Sequence, residues 1–195
     1  TDKFKSELER MVSSDKEPLA RANAARALAG FSEKAPITIL LEAAFKDADQ
    51  RVRFNALNAL GAIKNADSGP PVIERAETLL RIYKKKTGNT GLNELLTISV
   101  VLGRIMEASD NERTVEFLKS MRKILPSGAP EVEAALVRVS PAAYMDQKID
   151  SNGGWRKSAA VAAGLGTASG LKESKDADKL KAMAEASLRM YLTAV

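Results

Sequence analysis

The sequence has no cysteine and no histidine. The first absence removes disulfides, thiolate nucleophiles and thiolate metal sites. The second removes the commonest general base, the commonest transition-metal ligand and any Ser-His-Asp arrangement. Aromatic residues are scarce too, with one Trp, three Tyr and five Phe among 195 residues. The hydrophobic 45% is therefore mostly Ala, Leu, Val and Ile, a composition that suits closely packed helices better than sheets. No apolar run approaches the roughly 18–20 residues that cross a bilayer, so no membrane span is expected. Charge of one sign is only mildly in excess: the formal net charge of +5 is compatible with a polyanionic partner without demanding one.

What the chain does contain is one sentence written twice. Asp15, Ala20, Arg21, Asn23, Ala24, Ala27 and Leu28 recur as Asp47, Val52, Arg53, Asn55, Ala56, Ala59 and Leu60, each 32 residues downstream of its counterpart. A fixed period of this size marks a stack of small supersecondary units, each burying its apolar face against the next. Helix signals then alternate with short breakers along the chain. The apolar spacing predicts helices over about 2–12, 17–30, 36–45, 49–64, 70–86, 92–107, 111–125, 130–139, 142–149 and 175–192, with a further one after the loop tract Asp150–Gly154.

The expected inward faces are Phe4, Leu8, Met11 and Val12 in the first helix, and Ala20, Ala24, Ala27, Leu28 and Phe31 in the second. In the fourth they are Val52, Ala56, Ala59, Leu60 and Ile63, with Gly61 admitting a close neighbour. Shifting the second copy by 42 places Ile98, Val101, Leu102, Gly103 and Ile105 in the same register; shifting it by 103 places Trp155 in the slot of Val52. The division that follows is a capping helix over 1–14 and repeats over 15–47, 48–88, 89–127, 128–151 and 152–195.

The run Asp47-Ala-Asp-Gln-Arg-Val-Arg-Phe-Asn-Ala-Leu-Asn-Ala-Leu-Gly-Ala-Ile63 resembles a HEAT repeat, close to the short HEAT-like type of phycobilisome bilin-lyase proteins. Asp47, Val52, Arg53, Ala56, Ala59, Leu60 and Gly61 carry the likeness. It extends to the first copy, with Ala20 for the Val and Ala29 for the Gly. The third copy lacks the Asp and the Arg, with Leu95 in the Arg slot. The resemblance implies an all-α fold, a right-handed α-α superhelix (solenoid) of about five HEAT-like helix pairs. It also implies structural roles for Asp15, Arg21, Asp47, Val52, Arg53, Leu60, Gly61 and Trp155. The Asp would end the inter-helix turn, and the Arg would bond to it or to a neighbouring repeat.

The charge pattern adds one candidate binding feature. Arg81, Lys84, Lys85 and Lys86 end one second helix, and Lys119, Arg122 and Lys123 end the next. In stacked units the two clusters would form a basic ridge able to track phosphates. The bland alternative is that cations in a last helical turn complement the macrodipole. Ser13, Ser14 and Ser151 have no base to activate them. Asp146 and Asp150, two carboxylates at i, i+4, make too small a set for a metal. Gly164-Leu-Gly166 lacks the lysine of a phosphate loop.

The expectation is thus a non-enzymatic scaffold, without cofactor or metal, that binds a protein partner in the concave face of its second helices. The alternative is nucleic-acid or other polyanion binding on the basic ridge. The cytoplasm is the default compartment, and a chain starting at Thr1 is also compatible with an exported mature form.

Overall fold

A computed structural model describes residues 2–85, 91–125, 129–140 and 143–144. Among these residues there are eight α-helices and no strand: α1 (Asp2–Ser14), α2 (Pro18–Leu28), α3 (Ile37–Lys46), α4 (Gln50–Ile63), α5 (Gly69–Lys85), α6 (Leu92–Ile105), α7 (Glu112–Ile124) and α8 (Pro130–Val139). Short 3-10 turns at Ala29–Lys34 and Ala66–Ser68 follow α2 and precede α5. No described helix is long and apolar enough to cross a membrane. Of the expected helix over 142–149 only 143–144 are described, both helical; the rest of it with Asp146, everything from 150 onward with Asp150, Ser151, Trp155 and Gly164–Gly166, and Lys86 lie outside the described residues.

The chain divides into two compact units, Thr1–Val101 and Leu102–Val195, with the division inside α6. In the first unit the helices form two layers. α2 lies beside α4, while α1 packs on α3 and α3 on α5; contacts of α1 with α2 and of α3 with α4 join the layers. Leu28, Leu40, Val52, Leu57, Leu60 and Val72 are sealed between them. The starts of the helices follow from local chemistry. Pro18 sits in the first turn of α2, where a missing N–H costs nothing. The Asp49 carboxylate caps α4 by accepting the Arg51 N–H at 2.8 Å.

Two features of the expected faces are corrected. Ala27 is exposed, and α2 instead buries Ala22, Ala24, Ala25 and Leu28. With 3.6 residues per turn these four flank Arg21, so the covered arc is centred on that arginine rather than on the alanine stripe. Phe4 is 62% exposed, against 7% for Leu8 and 3% for Val12. It lies on the first turn of α1, where its ring stands 6.4 Å from that of Phe31 between centroids.

In the second unit α7 packs on α8, and the turn between α6 and α7 is tied to the end of α8. Ala108 and Asp110, both at positive φ, donate their N–H groups to the carbonyls of Arg138 and Val139 at 2.8 and 3.0 Å. Two of the terminal carbonyls of α8, which have no partner within the helix, are thereby satisfied. Asn111 caps α7, its Oδ1 accepting both the N–H and the hydroxyl of Thr114 at 2.9 Å. Gly103 allows α6 to touch α8: a Cβ there would stand 2.7 Å from the Ala135 Cα and 2.9 Å from its Cβ. The nearest atom belongs to backbone, so a methyl group can enter only if the helices separate. Gly103→Ala should therefore lower stability by about 1–3 kcal/mol, read as an earlier urea midpoint at unchanged slope. An unchanged midpoint would mean that α6 and α8 part at no cost.

Candidate functional site

The doubled sentence has a doubled geometry. Asp15 Oδ1 accepts the Glu17 N–H at 2.9 Å, and Asp47 Oδ1 accepts the Asp49 N–H at the same distance. Each carboxylate thus closes an Asx turn just before its helix. Arg21 Nη1 donates to the carbonyls of Asp15 and Lys16 at 2.8 and 3.3 Å. Arg53 Nη1 repeats this toward the carbonyls of Asp47 and Ala48 at 2.9 and 3.1 Å. A guanidinium one turn into each first helix therefore holds the backbone turn that leads into it.

The same arginine also reaches forward. Arg21 Nε and Nη2 donate to Asp47 Oδ2 and Oδ1 at 2.8 and 3.0 Å, a two-point fork from one repeat to the next. Both side chains are largely covered, at 16% and 10% exposure. Burial works against the Asp47 carboxylate, but the bonds from Arg21 and from the Asp49 N–H, with the Arg21 charge, more than offset it and hold it below the usual carboxylate range. The bond to Asp47 raises Arg21 in turn.

The second rung is built differently. Arg53 lies 3.7 Å from Glu94 Oε2, and Arg75 Nη2 donates to Glu94 Oε1 at 3.0 Å. Glu94 stands in the first turn of α6, not in the preceding turn where Asp47 stands, so its longer side chain serves two arginines from a different backbone position. The buried Nε atoms of Arg53 and Arg75 make no hydrogen bond. With a 42-residue shift the slot of Asp47 falls on Asn89, outside the described residues.

Of the basic ridge, Arg81, Lys84 and Lys85 are exposed in the last turns of α5. Lys119 pairs with Glu116 at 3.2 Å, and Lys123 is exposed. Arg122 is no free cation. Its Nε donates to Glu133 Oε1 at 2.8 Å, its Nη2 bonds Glu133 Oε2, and its guanidinium carbon lies 5.2 Å from the centre of the Tyr144 ring. Arg81, Lys84 and Lys85 belong to the first unit and Lys119, Arg122 and Lys123 to the second. Burial and the Glu133 charge push the Tyr144 phenol up to about 12 against the pull of Arg122, so it stays protonated through the neutral range.

An open groove of about 270 Å³ lies between α1 and α3, lined by Val12, Ser13, Ile39, Glu42, Lys46 and, at its end, Ala43 with Asp47. Its lining is more polar than apolar: Val12, Ile39 and Ala43 stand beside two acids, Glu42 and Asp47, and one base, Lys46. That volume falls near the lower edge of small-molecule pockets and suits one or two side chains of a partner. Ser13 and Ser14 donate their hydroxyls to the carbonyls of Glu9 and Arg10 at 3.0 and 2.8 Å, bonds internal to α1. Among the described residues no three acidic side chains converge on a point that would hold a metal ion.

Sequence reasoning missed Arg75, Glu94 and Glu133, since each forms its ion pair at no repeated spacing. An acid in the first turn of α6 and of α8 was the only signal available, and helix starts favour acids anyway. The groove had no sequence signal at all, because it arises from the offset of α1 against α3.

The fork makes its own forecast. Asp47→Asn keeps the Asx turn but removes the charge opposite Arg21, and should cost about 2 kcal/mol, between the values for exposed and fully buried pairs. In a double-mutant cycle with Arg21→Met, about 1–2 kcal/mol should appear as coupling. Because the folded-state pKa of Asp47 is depressed, its contribution is present above an unfolded pKa of about 4 and is lost as pH falls through the lower folded value. The midpoint gap between the native chain and Asp47→Asn should therefore close on going from neutral pH to about pH 2. A gap that survives acid would mean the charge is not what stabilises.

The family model described as HEAT repeats matches residues 6–81. No curated protein and no solved structure matches the chain.

Proposed function

Residues 6–81 belong to the HEAT-repeat family, and from that premise we propose that this chain is a non-catalytic scaffold holding a protein partner on its layer of second helices. HEAT repeats generally serve as protein-interaction scaffolds, which is the broad part of the reading. The finer part rests on one observation: α1, α3 and α5 share a layer, and the groove between α1 and α3 opens on it. Ile39, with the edges of Val12 and Ala43, offers apolar contact to an anchoring side chain, and Ser13, Glu42 and Lys46 offer polar contacts that would orient it. The Glu42–Lys46 pair, 3.3 Å apart and well exposed, is weak enough to exchange for contacts with a partner.

A photo-reactive residue in place of Ser13 or Glu42 should give a discrete adduct, and one in place of the exposed Asn58 on α4 should not. With the protein so identified, Ile39→Glu should weaken binding about tenfold or more, as loss of a central anchor does. Equal adducts from Asn58, or unchanged binding to Ile39→Glu, would move the partner to another surface.

A second reading, polyanion binding, is favoured only by Arg81, Lys84 and Lys85, exposed in the last turns of α5. It requires DNA or RNA affinity falling with salt at a log–log slope of roughly −3, one unit per neutralised phosphate, and lost in Lys84→Glu/Lys85→Glu. No binding at low salt would end it.

A further inference from the structure

Of the helices lying wholly in the first unit, α5 alone outlasts its own core contacts. The others end within two residues of their last buried one: α1 after Val12, α2 at Leu28, α3 after Ala44 and α4 after Gly61. The last buried residue of α5 is Leu80, yet the helix continues through Arg81, Ile82, Tyr83, Lys84 and Lys85. Of these only Tyr83 is partly covered. This overhang of about a turn and a half buries almost nothing, so packing does not account for its sequence.

Two properties of the overhang point to a ligand. Its charge is uncompensated. Among the described residues no acid stands within ion-pair distance of Arg81, Lys84 or Lys85, and Arg81 Nη2 donates to the Thr78 hydroxyl at 3.3 Å. A helix C-terminus carries about half a negative charge, which three cations exceed. At i, i+3 and i+4 they share one side of the helix. Beside them stands Ile82, 42% exposed, one of the few large apolar side chains that the described structure leaves in solvent. Nucleic-acid phosphates would engage the cations and leave the isoleucine without a contact. Tyr83, half-buried, is no platform for a base. A bilayer surface calls for a wider apolar face than one isoleucine. A protein segment in which acids flank an apolar side chain meets both properties at once.

We propose that the C-terminal overhang of α5 docks an acidic segment of a partner protein, its carboxylates on Arg81, Lys84 and Lys85 and an apolar side chain on Ile82. The inference rests on the reading of the second-helix layer as a protein-binding surface. It adds to that reading a contact made by residues that do not line the groove between α1 and α3.

The test uses the full chain and a fluorescent peptide of sequence Glu-Asp-Glu-Leu-Asp-Glu, read by anisotropy at low salt. Saturable binding is expected, weakened about tenfold by Lys84→Ala with Lys85→Ala, the scale of two charge pairs at an interface. Ile82→Ser should weaken it about fivefold, as should serine in place of the leucine of the peptide. Since Ile82 and both lysines are exposed, these variants should keep the native urea midpoint. Ile39→Glu, in the groove, should leave the affinity unchanged. No binding, or equal binding to the native and Ile82→Ser chains, would overturn the proposal. So would tighter binding of an oligothymidylate of the same charge, or of phosphatidylserine vesicles, since the cations would then serve a phosphate ligand. Loss of peptide binding in Ile39→Glu would put the peptide in the groove, ending this inference and leaving the groove reading intact. A peptide that binds as expected, beside a groove that gives no adduct, would keep this contact and end the groove reading.

Discussion

The arrangement of the first unit depends on one fork, Arg21 onto Asp47. A stack of amphipathic helix pairs has apolar attraction in plenty but little to fix the register of one pair against the next, because alanine and leucine faces slide at small cost. A planar guanidinium meeting a carboxylate at two points permits only one placement. The same arginine bonds the carbonyls of Asp15 and Lys16 behind it. It therefore couples the turn of its own repeat to the turn of the next one. Charge here supplies direction, while burial of Leu28, Leu40 and Leu60 supplies most of the cohesion.

That division of labour explains why the motif fades without the fold failing. At the second rung Glu94 substitutes from the first turn of α6, shared between a hydrogen bond to Arg75 and a longer ion-pair contact with Arg53. Between α7 and α8, Arg122 and Glu133 form another two-point pair with no trace of the repeated spacing, covered by the Tyr144 ring. The physical need, a charge pair pinning one helix to its neighbour, recurs; the sequence positions that meet it drift. Apolar cohesion leaves room for that drift, since a core tolerates changes of side chain so long as volume and pattern are kept.

For function, the consequence is that the repeated residues are already engaged with one another. Among the described residues, the groove between α1 and α3 and the exposed cations on α5 lie outside those pairings. The HEAT match over residues 6–81 accounts for the repeat architecture there and says nothing of which surface a partner would take.

The all-α fold was legible because alanine–leucine periodicity at helical spacing, broken by proline and glycine, admits no other regular structure, and because the 32-residue echo from Asp15 to Asp47 requires two like units. Even so, a period reports which positions would be covered inside a long stack and not whether a neighbour is present. Ala27 therefore reads as core and lies in solvent, while Ala59, its counterpart, is sealed. Pairings such as Arg122 with Glu133 and Arg53 with Glu94 depend on the offset and lean of whole helices, which arise from the sum of many weak contacts. The chain by itself determined the described helices and the kind of unit they make, since those follow from local spacing. Only the tertiary structure decided which charges meet, which face stays open and where a groove forms, since those follow from the distance between elements far apart along the chain.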